Sequence, residues 1–211
     1  VSGTVERISP EAPIPVLNIE FETAMLGGAG NVARNVHGLT GAAYLVAVAG
    51  DDAAADAVAG LLDELTGAGY DLIRDPGRRT SIKTRFIASG QQMMRADREC
   101  AQPPTEDLGR KIVDAAAAQL DACAVVVLSD YGKGALANGV AGRIIEAAKK
   151  AAKPVIVDPK GDDYARYRGA DIITPNQKEL AIATNMPTAT AGEAATAAGK
   201  LIADHGFGAV L

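Results

Sequence analysis

Two hydrophobic patterns divide the chain. In Pro15–Glu22, Leu17, Ile19 and Phe21 alternate with Asn18, Glu20 and Glu22. Ser81–Ala88 alternates in the same way, Ser89-Gly90 is a turn signal, and Gln91–Asp97 returns. A period of two predicts strands with one wet face, because successive side chains point to opposite sides of a sheet. These pieces predict a small antiparallel sheet. Elsewhere short apolar runs alternate with segments of helical period. Tyr44–Ala49 predicts a strand, and Gly50-Asp51-Asp52 opens a helix to about Leu65. Tyr70–Ile73 predicts a short strand. Thr105 is placed to cap a helix to about Leu120, with Glu106 and Asp107 in its first turn. Ala124–Leu128 is continuously apolar, as in a strand covered on both faces. From about Asn138, Val140, Ile144, Ile145 and Ala148 form one helical stripe that ends in Lys149 and Lys150. Val155–Val157 and Asp171–Ile173 predict strands; Asn176–Thr184 and Ala191–His205 predict helices. Such alternation implies parallel strands joined by right-handed crossovers.

Composition narrows the class. Hydrophobic residues make up 48% of the 211 and charged residues 22%, the balance of a globular domain. No apolar run reaches the roughly 18 residues of a membrane span. The net charge of −5, with 21 basic and 26 acidic residues and no dense basic run, argues against a nucleic-acid surface. Cys100 and Cys123 are far apart and the histidines are only His37 and His205, so neither a zinc site nor a disulfide scaffold is expected. A reducing cytosol suits that usage. Val1 is not an initiator methionine, and Gly208–Leu211 reads as the start of a buried strand, so a fragment is expected.

Candidate chemistry gathers in three places. In Leu26-Gly27-Gly28-Ala29-Gly30-Asn31, three glycines precede an apolar helical run. Backbone bare of side chains lets a ligand lie against N–H groups, and the following helix aims its positive end at the same spot. Asn31 adds an amide suited to hydroxyls; the alternative is a tight turn with Asn31 as a helix cap. Three apolar strands then end in polar clusters: Ser129-Asp130-Tyr131-Gly132-Lys133-Gly134, Asp158-Pro159-Lys160-Gly161, and Thr174-Pro175-Asn176-Gln177-Lys178-Glu179. Ligands of open α/β sheets bind outside the carboxyl ends of the strands. Lys133 and Lys160 could neutralise phosphate, while Asn176 and Glu179, three apart at a helix start, could orient magnesium waters. On the alternating strands, Lys83 and Arg85 share a face and Arg95 lies on the return. If the strands pair, a cationic cluster forms, unless the cations only pair with Glu20, Glu22 or Asp97 on a wet face.

These stretches resemble the PfkB, or ribokinase-like, sugar kinase family. Gly27–Asn31 is similar to its first signature and Asn176-Gln177-Lys178-Glu179 to its NxxE motif. Within the family, Arg7–Val16, Ser129–Leu136, Val157–Gly161, Tyr167–Ala170 and the Lys83, Arg85, Gln91-Gln92, Arg95 spacing resemble the heptose 7-phosphate kinase domain of the bifunctional ADP-heptose synthases. The resemblance implies a doubly wound, mostly parallel α/β core (25–77 and 99–211) with a small β-sheet lid (1–24 and 78–98). It implies ATP and Mg²⁺ as cofactors, and phosphorylation of a phosphosugar, D-glycero-β-D-manno-heptose 7-phosphate, at its anomeric hydroxyl for lipopolysaccharide core synthesis. Gly27, Gly28 and Asn31 would contact the sugar, and Lys83, Arg85 and Arg95 the 7-phosphate. Asn176 and Glu179 would act at magnesium and the triphosphate. Asp130, Lys133, Asp158 and Lys160 would line the cleft, and a homodimer through the lid is implied.

The departures count too. The family carries its catalytic base in a Gly-Ala-Gly-Asp motif, which does not occur in these residues. The base is therefore expected beyond Leu211, and the chain alone is expected to be inactive. The family's first strand, with its acidic sugar ligand, and a fused nucleotidyltransferase domain are absent from the sequence as well. The competing readings are a kinase of another sugar and a non-catalytic sugar-phosphate-binding or dimerising fragment.

Overall fold

The structure is a computed structural model and describes residues 1–39, 41–65 and 69–211. In chain order the elements are β1 (Ser2–Ile8), β2 (Pro15–Phe21), α1 (Gly28–Gly38), β3 (Tyr44–Gly50), α2 (Ala53–Asp63), β4 (Gly69–Asp75), β5 (Ile82–Ala88), β6 (Gln91–Arg98), α3 (Glu106–Ala118), β7 (Val126–Ser129), α4 (Val140–Lys150), β8 (Val155–Asp158), β9 (Ile172–Ile173), α5 (Gln177–Thr184), α6 (Ala191–His205) and β10 (Ala209–Val210). The α/β core alternates as expected, and every strand pairing in it is parallel. Its strands fall into two sheets, a β3–β4 pair and a four-stranded sheet in the order β10-β9-β8-β7.

Helix boundaries follow local chemistry. Asp52 caps α2 by accepting from the Ala55 N–H at 3.0 Å, and Thr105 caps α3 through Leu108. Thr190 and Glu193 close a reciprocal capping box at α6, and Gly206 ends that helix in the left-handed region. The core is built on the α4 stripe of Val140, Ile144, Ile145 and Ala148, packed with Val155, Val157, Ile173, Tyr164 and Tyr167. Burial of such side chains is worth roughly 1.5–3 kcal/mol each.

One alternative is closed and two expectations need correction. The cap of α1 is Gly27, in extended conformation, and Asn31 sits inside the first turn with its N–H donating to the Gly27 carbonyl at 3.3 Å. The run Ala124–Leu128 becomes a strand only from Val126, and it is covered on one face. Val126 and Leu128 pack on the core while Val127 is 45% exposed. The outer sheet, ordered β2-β1-β5-β6, is mixed rather than antiparallel. Two antiparallel hairpins dock side by side, and their inner strands β1 and β5 run the same way at Ser2↔Ile87 and Gly3↔Ala88. All four strands lie within residues 1–24 and 78–98.

The two crossings between core and outer sheet are stitched together. Arg78 has a nearly buried side chain. It donates to Asp75 at 3.0 Å, to the Gln102 carbonyl at 3.1 Å and to the Lys133 carbonyl at 3.4 Å. Thr80 donates its N–H to Asp52 and accepts from the Gly50 N–H through its hydroxyl. The Thr80 hydrogen bonds hold the Asp52 carboxyl below its usual range. Gly134, at φ +85°, is a required glycine: a Cβ there would stand 2.1 Å from the Gln102 carbonyl oxygen. The loop after β7 therefore touches both the entering and the leaving segment of the outer sheet.

Candidate active site

Register brings the strand ends to one edge. Ser129 of β7 pairs with Asp158 of β8, and the Asp130 N–H donates to the Asp158 carbonyl at 2.9 Å. Val157 pairs with Ile173 of β9, and the Thr174 N–H donates to the Val157 carbonyl. The glycine turn joins this edge from α1. A Cβ on Gly28, at φ +50°, would lie 3.5 Å from the Tyr131 ring. Gly28 thus adjoins the loop that carries Asp130 and Lys133. The Asn31 Oδ1 accepts from Arg34 at 2.7 Å.

The carboxylates at this edge differ in kind. Asp130 is buried and fully engaged. Its Oδ1 accepts from the Gly132 N–H at 2.7 Å, and its Oδ2 accepts from the Tyr167 hydroxyl at 2.6 Å and faces Arg166 at 3.2 Å. It shapes the loop rather than presenting an open carboxylate, and burial followed by this hydrogen bond pushes the Tyr167 phenol far up. Asp158 has no side-chain hydrogen bond among the described residues. Burial, then the nearby Glu179 charge, and more weakly Asp130, push its carboxyl up against the opposing pull of Lys160. Tyr131 is raised by burial and by Asp158.

Asn176 and Glu179 form the capping box of α5. The Asn176 Oδ1 accepts from the Glu179 N–H, and the Glu179 Oε2 accepts from the Asn176 N–H, both at 3.0 Å. The other Glu179 oxygen pairs with the Lys160 Nζ at 2.8 Å. Burial raises Glu179, but the bonds from Lys160 and Asn176 prevail and leave it below the usual range. Tyr164 was not legible as part of this edge. Its hydroxyl is buried without a partner, and burial, then Glu179 and Asp158, push it up to about 12.

The outer sheet presents its cations on one face. Arg85 lies directly opposite Arg95, and Lys83 opposite Asp97. Asp97 pairs with Arg95 and with Lys83, each at 2.9 Å. Glu99 pairs with Lys83 through one oxygen and with Lys133 through the other. Arg85 makes no side-chain hydrogen bond or ion pair among the described residues. Lys133 is therefore tied to the outer sheet as well as to the strand-end loop. Glu99 and Arg78 are the functional neighbours that sequence reading passed over. Glu99 continues the alternation of Arg95 and Asp97, a signal that was available; Arg78 had none.

The oxygen donors Asp158 and Glu179 are of the hard type that magnesium takes, usually one or two carboxylates completed by phosphate and water. Among the described residues no three His, Cys, Asp or Glu side chains gather into a metal cage. No helix among the described residues is long and apolar enough to cross a membrane.

Residues 1–211 match the pfkB family of carbohydrate kinases over their whole length. The chain belongs to that family. It is 50% identical over 211 residues to the bifunctional protein HldE of Paramagnetospirillum magneticum, covering 100% of this chain and 43% of that protein. It is 47% identical to the HldE of Rhodospirillum rubrum, covering 100% of this chain and 42% of that one. This pfkB chain thus spans less than half the length of these relatives. Its fold is similar to phosphofructokinase-2 from Escherichia coli in its tetrameric inhibited form, with a TM-score of 0.71 at 22% identity over 98% of this chain and 67% of that one. It is also similar to Arabidopsis thaliana ribokinase complexed with ribose and ATP, with a TM-score of 0.66 at 23% identity over 100% and 69%. These likenesses make the ribokinase-like fold of the pfkB chain plain.

Proposed function

We propose that this chain carries the sugar side of a kinase that moves the γ-phosphoryl group of ATP to the anomeric hydroxyl of D-glycero-β-D-manno-heptose 7-phosphate. The observation that supports this best is Arg85 opposite Arg95 on the face that also carries Lys83. Like charges directly opposed on a sheet repel, and an anion between them turns that cost into charge-assisted hydrogen bonds. An unphosphorylated sugar has no group to meet such a pair. The heptose itself enters through the likeness of Ser129–Leu136 and Val157–Gly161 to loops of heptose kinases.

In this reading the outer sheet is a lid, and Lys83, Arg85 and Arg95 hold the 7-phosphate. Gly27, Gly28 and Asn31 hold sugar hydroxyls. Lys133 and Asp130 shape the loop between lid and cleft. Asp158 and Lys160 line the cleft beside Asn176 and Glu179, which face the nucleotide's magnesium through water. Bound MgATP supplies the transferable phosphoryl group and neutralises charge on it. Deprotonation of the anomeric hydroxyl falls to the Asp of a Gly-Ala-Gly-Asp motif, which we place beyond Leu211. The protein would work in the cytosol, where ATP is held and where the unpaired Cys100 and Cys123 stay reduced.

The test is Arg95→Ala in protein that carries the base. KM for heptose 7-phosphate should rise about tenfold or more, the scale of a hydrogen bond to a charged group, with a far smaller effect on KM for ATP. An unchanged KM for the phosphosugar would remove the main support. ATP consumption by the 211-residue chain alone should be absent, and turnover there would show that the base lies within it.

A further inference from the structure

The lid reading leaves Glu99 unexplained. It follows β6 and ties Lys83 of the outer sheet to Lys133 of the loop after β7. That loop is held rigidly: Arg78 binds its Lys133 carbonyl, and Gly134 lies against the Gln102 carbonyl. The bridge thus joins a fixed core loop to a lid strand through one carboxylate. Asp97 does the same for Lys83 and Arg95 within the lid. Four cations (Lys83, Arg85, Arg95, Lys133) share this face with two carboxylates, Asp97 and Glu99, so the cluster carries a formal charge of +2. Such a cluster attracts a phosphate dianion more strongly than a singly charged anion.

We propose that Glu99 sets the affinity of the phosphate seat: it is an internal counter-charge that competes with the substrate phosphate for Lys83 and Lys133. This rests on the lid's being the phosphate seat. The Glu99 side chain is 28% exposed, and those of Lys83 and Lys133 are 41% and 34% exposed. Partly solvated pairs of this kind are weak enough to exchange partners. A phosphate, with twice the charge of a carboxylate and three acceptor oxygens, takes both lysines at once. A hydroxyl or a monocarboxylate does not displace Glu99. Against these ligands Lys83 and Lys133 stay paired with Glu99.

Competition and simple structural support predict opposite results in one pair of variants. Glu99→Gln and Lys133→Met both cut the bridge from lid to core. If Glu99 competes, Glu99→Gln tightens binding of heptose 7-phosphate, while Lys133→Met weakens it. The expected change is about threefold in each direction, the scale of an exposed ion pair. Binding is measured by calorimetry on the 211-residue chain with heptose 7-phosphate, the same heptose without phosphate, and inorganic phosphate, after circular dichroism has confirmed that each protein is folded. Inorganic phosphate should gain from Glu99→Gln as well, and the unphosphorylated heptose should not. Weakening in both variants, or no change in Glu99→Gln, overturns the proposal. Wild-type binding that is equal for the two heptoses overturns the phosphate seat itself, a separate result.

Discussion

Asp158 carries a cost that its neighbour Asp130 does not. Its neighbour Asp130 accepts from Gly132 and Tyr167 and is settled in its place. Asp158 has burial and the Glu179 charge against it, and only Lys160 in its favour. A carboxyl raised above its unfolded value of 3.8 binds its proton more tightly in the folded state. Stability therefore falls as pH rises from that value through the raised one, and the cost is fully present above it. Asp158→Asn should raise Tm at pH 7 while lowering kinase activity in protein that carries the base, since the isosteric amide removes the charge but keeps the shape. The stability gain should fade as pH falls below the ordinary carboxylate range. Thermal unfolding at a series of pH values checks it, and a Tm gain that persists undiminished at pH 3 contradicts it.

At the scale of the element, the start of α5 combines a structural and a chemical task in two side chains. Asn176 and Glu179 cap the helix reciprocally, and Glu179 also pairs with Lys160. Glu179→Gln separates these tasks. Gln still accepts from the Asn176 N–H, so the capping box survives, and stability should change by no more than about 1 kcal/mol. The charge we propose to face magnesium is lost, and in protein carrying the base KM for MgATP should rise or kcat fall by about 10-fold or more. A large drop in denaturation midpoint with unchanged kinetics would make the motif purely structural. This double use explains what could be read from the sequence. Caps, amphipathic stripes and strand-end loops are local, so α2 to α6, β8 and the Asp158 and Asn176 clusters were legible from periodicity and cap residues. The parallel docking of β1 on β5 joins residues about 85 apart, and no local pattern encodes it. The same is true of the Glu99 bridge to Lys133 and of the Arg78 stitch, which exist only once the outer sheet meets the loop after β7. The alternative of Asn31 as a cap fails because Gly27, with no side chain to offer, stands at that position.

For the whole molecule the open question is what covers the second face of the outer sheet. Alternation sends Lys83, Arg85, Arg95 and Asp97 to one face and Phe86 and Met94 to the other. Pairing carries that second face through Ala88, Gly3 and Val5 to Ile19 and Leu17 on β2. Ile19 and Met94 are 51% and 55% exposed on it. A contiguous apolar surface of this kind is an association site more often than bare surface. A second copy of the chain is the simplest cover, because two identical faces related by a two-fold axis are complementary by construction. The wild-type chain should therefore sediment as a dimer at micromolar concentration. Ile19→Asp places a charge at the centre of the contact and should shift it to monomer, raising the dissociation constant by about 100-fold or more. Because Ile19 is half exposed in the single chain, its replacement should leave the far-ultraviolet circular dichroism of the monomer unchanged. Analytical ultracentrifugation of the two proteins decides the matter. A monomeric wild type would leave the apolar face without this partner, and a variant that stays dimeric would place the contact elsewhere. The cationic face is on the opposite side, so Ile19→Asp should also leave phosphosugar binding within about twofold of wild type if the lid folds without its partner. A larger loss would mean that pairing of the lids holds Arg85 and Arg95 in register, which makes the dimer part of the phosphate seat.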